Sequence, residues 1–402
     1  MKALSQFDAI VVGARVAGAA TAYQLAQRGW QVALVEKQVL PLGPVLSLPV
    51  TYPRGQAQFA ALGLLAPFQA AAEGLHLIRS IQLRFDDTLV LRGELPPWGG
   101  FDQAVIVPRE RLDNALLTFV LQQDYPVPGR VGLFAGHRVV DLVRAGRGEQ
   151  GPVRGVRAAT RATGDLRELT APLVIGADGR LSRVAMLLDG EAQRYDVVEP
   201  VTSFCYSLCR GAEAAGLPDV LFARAGSNRM VVFTEIARDL QVVGVYLPSA
   251  EYAAFHGQGQ SHSHEVTRAA LQATWERVPE LAGRMERVEL LGPVLGVDPR
   301  TGTGFFRPAG GPGWALVGDA AHFQDPAAGQ GLHDALVTVG KLVVALDQLT
   351  GGRPLSGTDA MRQWLDVARS LQRQRDRALR PMYAFTNSLS RLLTQHPDRW
   401  EA

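Results

Sequence analysis

The chain has 402 residues, of which 47% are hydrophobic and 20% are charged. These proportions are typical of a folded globular protein and exclude a disordered or fibrous chain, and the length allows two interleaved domains. The net charge is only +2, because 41 basic residues, almost all of them arginine, are scattered among 39 acidic ones. No basic block marks a surface for nucleic acid, so nucleic-acid binding is not expected.

The sequence also gives expectations for cell compartment and assembly. No apolar run approaches the roughly 20 residues that span a bilayer, and no signal-peptide pattern opens the chain. Cys205 and Cys209 lie four residues apart in a predicted strand, roughly 13 Å from each other and beyond disulfide reach. We therefore expect a cytoplasmic protein without an integral membrane segment or a metal site, either a monomer or a homodimer.

The first part of the chain has the pattern of an α/β fold. Residues 7–12 and 31–36 are predicted to form buried strands, and residues 16–28 the helix between them. These three elements make a βαβ unit. Residues 81–85 and 88–92 then alternate like a hairpin, and residues 112–122 are predicted to be helical.

The rest of the chain adds an antiparallel insertion and a helical tail. The elements predicted here are strands over 138–142, 154–158 and 173–175, four strand-like runs between 201 and 247, a helix over 266–277, a strand over 314–317 and a helix over 332–349. The last fifty residues also have helical patterns. Successive strands with turns between them are expected of an antiparallel sheet inserted into an α/β protein.

A glycine-rich segment connects the first predicted strand to the first predicted helix, and it reads Gly13-Ala14-Arg15-Val16-Ala17-Gly18. It is a variant of the G-x-G-x-x-G loop, which lets a pyrophosphate rest on a helix N-terminus. Arg15 replaces the glycine that normally lets the backbone approach the phosphates, so its side chain would have to point outward or contact them. An ordinary tight turn is the alternative.

Glu36 ends the second predicted strand, 18 residues after Gly18. At this position a carboxylate can accept hydrogen bonds from both hydroxyls of an adenosine ribose. A surface glutamate without such a role is the alternative, and the glycine loop beside it makes the binding role the better interpretation.

Two further segments combine a strand, a turn and a helix. In residues 174–183, Asp178 lies in an Asp-Gly turn, a pattern that fits either a binding role or a simple chain reversal. In residues 314–332, Asp319 follows a strand and can accept from a polyol hydroxyl. Gly329 and Gly331 open a helix whose free N–H groups and dipole would stabilise an anion, such as that of a reduced flavin.

The order and spacing of the three segments resemble those of FAD-dependent aromatic hydroxylases of the 4-hydroxybenzoate hydroxylase type, including ubiquinone-pathway and polyketide-tailoring monooxygenases. The dinucleotide loop, DG motif and GD motif of that family match residues 13–18, 176–183 and 318–331. The resemblance spans nearly the whole chain. It implies an α/β fold with a Rossmann-like FAD-binding domain, an inserted antiparallel-sheet substrate domain and a helical C-terminus.

The resemblance also implies a set of cofactor-binding residues. Beyond the glycine loop and Glu36, they are Lys37, Arg109, Val139, Asp178, Gly318, Asp319, Pro326, Gly329, Gly331 and Leu332. Arg109 matches an arginine near the flavin and its phosphates, and Val139 would contact the adenine through its backbone. His333 and Asp334 stand where the family often has an asparagine or similar residue, so the local flavin contacts are expected to differ.

By the same resemblance, NADPH or NADH reduces FAD, and O₂ adds at flavin C4a to give a hydroperoxide that hydroxylates or epoxidises an aromatic, polyketide-like or other apolar small molecule. The chain has no second glycine-rich unit for the nicotinamide cofactor, which fits transient docking, with Arg180 or Arg183 meeting its phosphates. His322 is a candidate base. A histidine directly after such a turn, however, is more often a hydrogen-bonded structural residue.

Other functions share parts of this pattern. A reductase of prenyl-chain double bonds, similar to geranylgeranyl reductases, can have all three motifs and is the main alternative. Flavin-dependent halogenases share the fold, but their pattern has a tunnel lysine and a Trp-x-Trp motif, whereas lysine occurs here only at Lys2, Lys37 and Lys341. A redox-silent FAD-binding protein or a simple NAD-dependent dehydrogenase is a further alternative, and the GD motif argues against the dehydrogenase.

The predicted division of the chain follows these motifs. Residues 1–80, 105–195 and 292–350 are expected to form a discontinuous FAD-binding domain, and residues 81–104 and 196–291 the substrate domain. Residues 351–402 are expected to form C-terminal helices.

One strand of the predicted substrate domain has small and bulky residues in alternation. In residues 201–209, one face carries Ser203, Cys205, Ser207 and Cys209, and the other carries Phe204, Tyr206 and Leu208. A small face leaves room above a flavin, so Ser203, Cys205 and Ser207 are predicted to line the substrate cavity. Close packing of this face against the helix over 266–277 is an equal alternative.

Overall fold

The computed structural model describes residues 5–394, apart from residues 46, 49, 86–88, 147–150, 227, 253, 255–262, 297 and 356. Two large sheets organise this part of the chain. One has six mostly parallel strands, and the other has eight mostly antiparallel strands.

The six-stranded sheet is built on the predicted βαβ unit. In spatial order its strands are β22 (Gly310–Gly311), β23 (Trp314–Leu316), β13 (Leu173–Gly176), β2 (Ala9–Val12), β3 (Gln31–Glu36) and β9 (Arg130–Ala135). β22 is antiparallel to β23, and the other neighbours are parallel. All four residues of β2 are buried, as expected for a strand covered on both faces.

Helices and a second sheet cover the two faces of the six-stranded sheet. The described α-helices are α1 (Val16–Ala26), α2 (Pro53–Ala61), α3 (Leu65–Ala72), α4 (Arg109–Gln122), α5 (Arg183–Leu187), α6 (Ser263–Trp275), α7 (Gly331–Thr350) and α8 (Gly357–Thr394). α1, α4 and α7 share an apolar cluster that includes Leu25, Leu116 and Leu336. The opposite face packs on a four-stranded sheet of β1 (Ser5–Gln6), β12 (Leu166–Thr170), β11 (Val153–Thr160) and β10 (His137–Arg144).

The eight-stranded sheet takes most of its strands from the two segments of the predicted substrate domain, and β20 (Leu295–Gly296) comes from the segment 292–350 predicted for the FAD-binding domain. Its spatial order is β19 (Glu289–Leu290), β15 (Thr202–Arg210), β18 (Leu240–Pro248), β17 (Met230–Ala237), β16 (Val220–Arg224), β6 (Ser80–Arg84) and β7 (Val90–Glu94), with β20 also paired to β15. β6 and β7 form the predicted hairpin, whose turn at residues 86–88 lies outside the described residues.

The two faces of this sheet carry different apolar clusters. The cluster on one face contains Cys205 and is closed by Trp275 of α6. The cluster on the other face contains Phe204 and Tyr246 together with Ala327, which belongs to the third motif. The second face therefore points toward the third motif, and we call it the aromatic face.

Two small sheets complete the fold around the motifs. One consists of β4 (Val50–Thr51), β8 (Ala104–Ile106) and β5 (Leu77–Ile78), and the other of β14 (Tyr195–Val198), β21 (Gly304–Phe306) and β24 (His322–Phe323). Short 3₁₀ turns at Gly318–Ala320 and Pro326–Ala328 lie on either side of β24. They place the third motif between the two large sheets.

The fold class predicted from the sequence is confirmed, and the differences are local. α4 begins at Arg109, three residues before the predicted start, because arginine and glutamate are good helix formers. The described C-terminal residues form the single helix α8 instead of several helices, and residues 395–402 lie outside the described part. Within the described residues, no helix has the length and apolar character needed to cross a membrane.

Candidate functional site

The three sequence motifs meet at one edge of the six-stranded sheet. They follow β2, β13 and β23, which are adjacent and parallel, so their carboxyl ends lie side by side. A Cβ atom placed on Gly13 would lie 2.6 Å from the carbonyl oxygen of Ala177, and one placed on Gly318 would lie 2.8 Å from the Cβ of Ala17. The first motif therefore packs directly on both of the others. This edge is where open α/β sheets bind ligands.

The glycine loop has the shape of a tight βα turn despite its arginine. A Cβ on Gly18 would lie 1.7 Å from the carbonyl oxygen of Gly13, so the turn requires glycine at position 18. Gly13 has a positive φ of 101°, which also favours glycine. Arg15, in contrast, has an extended backbone with φ −82° and ψ −168°, which any residue adopts without strain.

Two long helices present uncapped N-termini at this edge. Among the described residues, no side chain caps the first turn of α1 or α7, whereas two neighbouring short elements are capped: Ser182 accepts from the N–H of Ala185 in α5, and Asp325 accepts from the N–H of Ala327. The first-turn N–H groups of α1 and α7 are thus available to an anionic ligand. A Cβ on Gly331 would meet no atom within 4 Å, so there is open space at the start of α7.

Glu36 is buried at the end of β3 and ties two parts of the first motif together. Its Oε2 accepts from the N–H of Ala14 at 2.9 Å, and its Oε1 accepts from the N–H of Gln38 at 2.9 Å. Each carboxylate oxygen has a second lone pair and can still accept from a ribose hydroxyl. Lys37, the next residue, is exposed.

Asp319 is the site residue with the clearest unmet bonding capacity. Its carboxylate is half-buried and makes no hydrogen bond with any described residue. Burial raises the pKa of Asp319, while the charges of Arg109, His322 and Arg180 act in the opposite direction. A half-buried carboxylate without a donor fits the hydroxyl groups of a polyol chain such as the ribityl chain of FAD.

Asp178 has a different role from Asp319, because its carboxylate is already used within the protein. It accepts from the hydroxyl of Ser182 and from the N–H groups of Arg183 at 2.6 Å and Val184 at 3.2 Å. Burial raises the pKa of Asp178 in spite of these bonds. Its side chain therefore stabilises the turn and the start of α5, and contact with a cofactor stays a prediction.

The two arginines of the second motif also differ. Arg183 donates to the carbonyl of Val140 at 3.0 Å. The guanidinium of Arg180 lies 5.5 Å from the ring centre of Phe323, makes no hydrogen bond with the described residues, and lies close enough to Asp319 to interact with its charge. Burial lowers the pKa of Arg180. Of the two, Arg180 is the one available to a phosphate.

Asp113 is a site residue that sequence reasoning missed. Its fully buried carboxylate pairs with Arg15 through Oδ2 and with Arg109 through Oδ1, the latter at 3.0 Å. The spacing of four residues between Arg109 and Asp113 on a helix was the available signal. No sequence signal predicts the contact between Asp113 and Arg15, because the two residues are 98 positions apart.

His322 has the structural role that is usual for a histidine after such a turn. Its Nδ1 donates to the carbonyl of Phe305 at 3.0 Å, and its ring stacks on Phe306 with 4.1 Å between the ring centres. The side chain is almost completely buried. Val139, predicted to contact adenine through its backbone, lies on β10 with its side chain in the cluster beneath the six-stranded sheet.

Ser203, Cys205 and Ser207, predicted to line the substrate cavity, lie on β15, and their contact with a substrate stays a prediction. Cys205 lies in the cluster closed by α6, and its Sγ is 2.9 Å from a Cβ placed on Gly296, so it packs closely against β20. Burial raises the pKa of Cys205 to about 12, and both cysteines are free thiols. Cys205 and Cys209 thus share a packed cluster with Trp275 of α6, which fits the alternative of close packing.

The aromatic face, on the other side, has the features of a substrate wall. Phe204 and Tyr246 stack with 4.4 Å between ring centres. Tyr52 faces the same region, since a Cβ on Gly329 would lie 3.2 Å from its ring. The hydroxyls of Tyr52 and Tyr246 have no hydrogen-bond partner among the described residues, and burial raises the pKa of Tyr52 to about 12 and that of Tyr246 well above its ordinary value. Both are neutral donors at physiological pH.

Comparison with known proteins agrees with this geometry. A family profile described as FAD dependent oxidoreductase matches residues 8–43, which contain the glycine loop and Glu36. No curated protein matches the sequence. Among solved structures, the chain is similar to the myxobacterial chondrochloren halogenase CndH, with 20% identity, a TM-score of 0.77, and coverage of 98% of this chain and 85% of that one.

Two other solved structures are similar over most of the chain. PqsL from Pseudomonas aeruginosa, a probable FAD-dependent monooxygenase, has 20% identity and a TM-score of 0.68, with 97% of both chains covered. A flavoprotein/dehydrogenase from Cytophaga hutchinsonii has 16% identity and a TM-score of 0.72, covering 96% of this chain and 86% of that one. At these identities the likeness shows the fold. The fold and the matched segment together support an FAD-dependent enzyme.

Proposed function

We propose that the protein is an FAD-dependent monooxygenase that uses NADH or NADPH and O₂ to hydroxylate or epoxidise an aromatic, polyketide-like or other apolar small molecule. The observation that supports this proposal is the convergence of three motifs on one sheet edge, with two helix N-termini and the carboxylate of Asp319, which has no hydrogen-bond partner among the described residues, between them. Each of these features would meet a different part of one dinucleotide.

The residues of the edge fit FAD in a definite order. The first turn of α1 would receive the pyrophosphate, Glu36 the adenosine ribose and Asp319 the ribityl chain. The first turn of α7, beginning at Gly331, would face N1 and C2=O of the flavin, where its dipole favours negative charge. When bound, FAD supplies hydride acceptance and oxygen activation.

The protein itself would orient the substrate and exclude water from it. The aromatic face places stacked rings and apolar side chains opposite the third motif, in a cluster that includes Met230, Val232 and Ala327. Such a wall fits a flat apolar substrate and excludes water from the reacting centre. The hydroxyls of Tyr52 and Tyr246 would bind a polar group of the substrate, such as a ring oxygen. Arg180 would meet a phosphate of the nicotinamide cofactor during transient docking.

Halogenation is the function of one similar structure, so it needs a separate argument. The pattern expected of flavin-dependent halogenases includes a tunnel lysine. In this chain no lysine lies between Lys37 and Lys341, and hence none lies in the eight-stranded sheet or its connections. The sequence therefore favours oxygen transfer to the substrate itself.

The test is a coupled measurement on the purified, FAD-loaded protein. NADH and NADPH oxidation and O₂ uptake are recorded with a panel of phenols, polycyclic aromatics and prenyl lipids, and ¹⁸O from labelled O₂ is sought in the product by mass spectrometry. Stimulated O₂ uptake with ¹⁸O in the product is expected. NAD(P)H oxidation with a saturated prenyl product and no O₂ uptake would identify a prenyl reductase, and no NAD(P)H oxidation with any compound would identify a redox-silent protein.

A further inference from the structure

One buried carboxylate joins two arginines at the phosphate end of the proposed FAD site. Asp113 on α4 is fully shielded from solvent, and it pairs with Arg15 at the start of α1. Its other oxygen accepts from Nη2 of Arg109 at 3.0 Å and from Nε at 3.3 Å. A single acidic group is thereby shared by the glycine loop and the first turn of α4.

Three protein groups accept hydrogen bonds from the guanidinium of Arg15. Besides its pair with Asp113, its Nη2 donates to the carbonyl of Gly43 at 2.8 Å and to the side chain of Gln38 at 3.2 Å. Gln38 is the residue whose N–H is held by Glu36. These bonds direct the Arg15 guanidinium toward α4 and residues 38–43, and they link the glycine loop to the segment that follows Glu36.

Arg109, unlike Arg15, interacts with the third motif. It is held by Asp113 on one side, and its charge partly offsets the burial that raises the pKa of Asp319. It thus connects the buried carboxylate to the third motif. Two arginines and one aspartate leave a net charge of +1 beside the start of α1, where an anion is expected.

We propose that Asp113 is a positioning residue for FAD. It holds Arg15 aside, so that the backbone of the glycine loop remains open to the pyrophosphate, and it holds Arg109 in place toward the phosphates. This arrangement explains how the loop could bind a pyrophosphate although Arg15 stands at a position where glycine is usual. The inference rests on the proposed FAD site, and it says nothing about which reaction follows.

Positioning and simple electrostatics predict opposite results for one substitution. Asp113→Asn removes a negative charge next to an anion site, which by charge alone should tighten FAD binding. If Asp113 acts by positioning, the same change releases both arginines and should weaken binding. The direction of the change therefore separates the two accounts.

The experiment uses the full-length protein, stripped of flavin and titrated with FAD while flavin fluorescence is recorded. We expect the Kd of Asp113→Asn to rise tenfold or more. Asp347→Asn is the matched control, because it breaks another arginine–aspartate pair, Arg28–Asp347 at 2.7 Å, which joins the far ends of α1 and α7. Its Kd should change less than twofold. Thermal unfolding of each flavin-free variant is measured in parallel.

Arg15→Lys is the second variant, and it keeps the experiment decisive if Asp113→Asn does not fold. Lysine keeps the charge but lacks the planar fork that bonds Asp113, Gln38 and Gly43 together. We expect its Kd to rise by at least fivefold. Binding as tight as the parent's in the folded variants, or equal weakening in Asp347→Asn, would overturn the inference. A parent chain that does not bind FAD would instead refute the proposed function.

Discussion

The imidazole of His322 faces the carboxylate of Asp334, with 3.5 Å between Nε2 and Oδ2. This contact joins the turn after Asp319 to the first turn of α7, and so connects the two parts of the third motif. Asp334 also contacts His333 at 3.0 Å and accepts from Gln324 at 2.8 Å. The Asp334 carboxylate therefore links the two parts of the third motif.

This arrangement predicts a loss of cofactor in acid. Burial alone would raise the pKa of Asp334, but its hydrogen bonds and the charges of His322 and His333 outweigh burial and lower it below the ordinary 3.8. A lowered carboxyl pKa stabilises the fold at neutral pH, and this contribution disappears as the pH falls below 3.8 through the lowered value. FAD release followed from pH 7 to pH 3 should therefore steepen below about pH 4 in the parent. In Asp334→Asn the acid-dependent part should be smaller, and an unchanged profile would contradict the role of this carboxylate.

His322 should matter for stability more than for catalysis. Replacing it with alanine removes the bond to Phe305 and the stacking on Phe306, which should reduce the free energy of unfolding by about 1 to 3 kcal/mol. Turnover per bound FAD should stay within severalfold of the parent. Chemical denaturation and flavin-normalised activity measure the two effects. A stable His322→Ala protein that binds FAD and has no turnover would show that the histidine acts in the reaction.

Asp319 and Glu36 should each be needed for cofactor affinity. Asp319→Ala removes the proposed acceptor for a ribityl hydroxyl, and Glu36→Ala removes the proposed acceptor for the ribose hydroxyls. Each should weaken FAD binding by about 1 to 3 kcal/mol, the scale of losing a charged hydrogen-bond partner. FAD titration of the two variants, with Asp347→Asn as reference, measures this. If both variants bind FAD like the parent, these two carboxylates do not contact the cofactor.

Cys205 should respond to enlargement as a packed core residue. Cys205→Phe forces a large ring against Gly296 and α6, which should reduce the free energy of unfolding by about 1 to 3 kcal/mol. Cys205→Ala, which only removes the sulfur, should cost less. Urea unfolding of the two variants measures the difference. A Cys205→Phe protein as stable as the parent would mean that open space exists on this face after all.

The tyrosines of the aromatic face should govern substrate recognition without affecting the cofactor. Tyr246→Phe and Tyr52→Phe each remove a hydroxyl that has no hydrogen-bond partner among the described residues, so fold and FAD content should be preserved. For the compound that most stimulates O₂ uptake, KM should rise by about threefold to tenfold, the value of one hydrogen bond. If KM in both variants equals that of the parent, the polar group of the substrate does not contact these two hydroxyls.

Local features of the site could be predicted from sequence, whereas its long-range pairings could not. The places of Gly13, Gly18 and Glu36 in a strand–turn–helix–strand unit follow from patterns within a few residues of each. Alternation along residues 202–209 also separated Cys205 from Phe204 correctly. Which of those two faces turns toward the third motif depends on where α6 packs, and that is decided by contacts between distant segments. The pairing of Arg15 with Asp113 could not be predicted either, because it also joins distant segments of the chain.

The FAD content of the purified protein tests the central claim most directly. Absorbance at the flavin maximum, together with protein concentration and chromatographic identification of the released cofactor, gives the number of FAD molecules per chain. The convergence of the three motifs predicts about one non-covalent FAD for each chain, retained by the parent and reduced in Asp319→Ala. A colourless protein that takes up no added FAD and instead binds NAD would contradict the account.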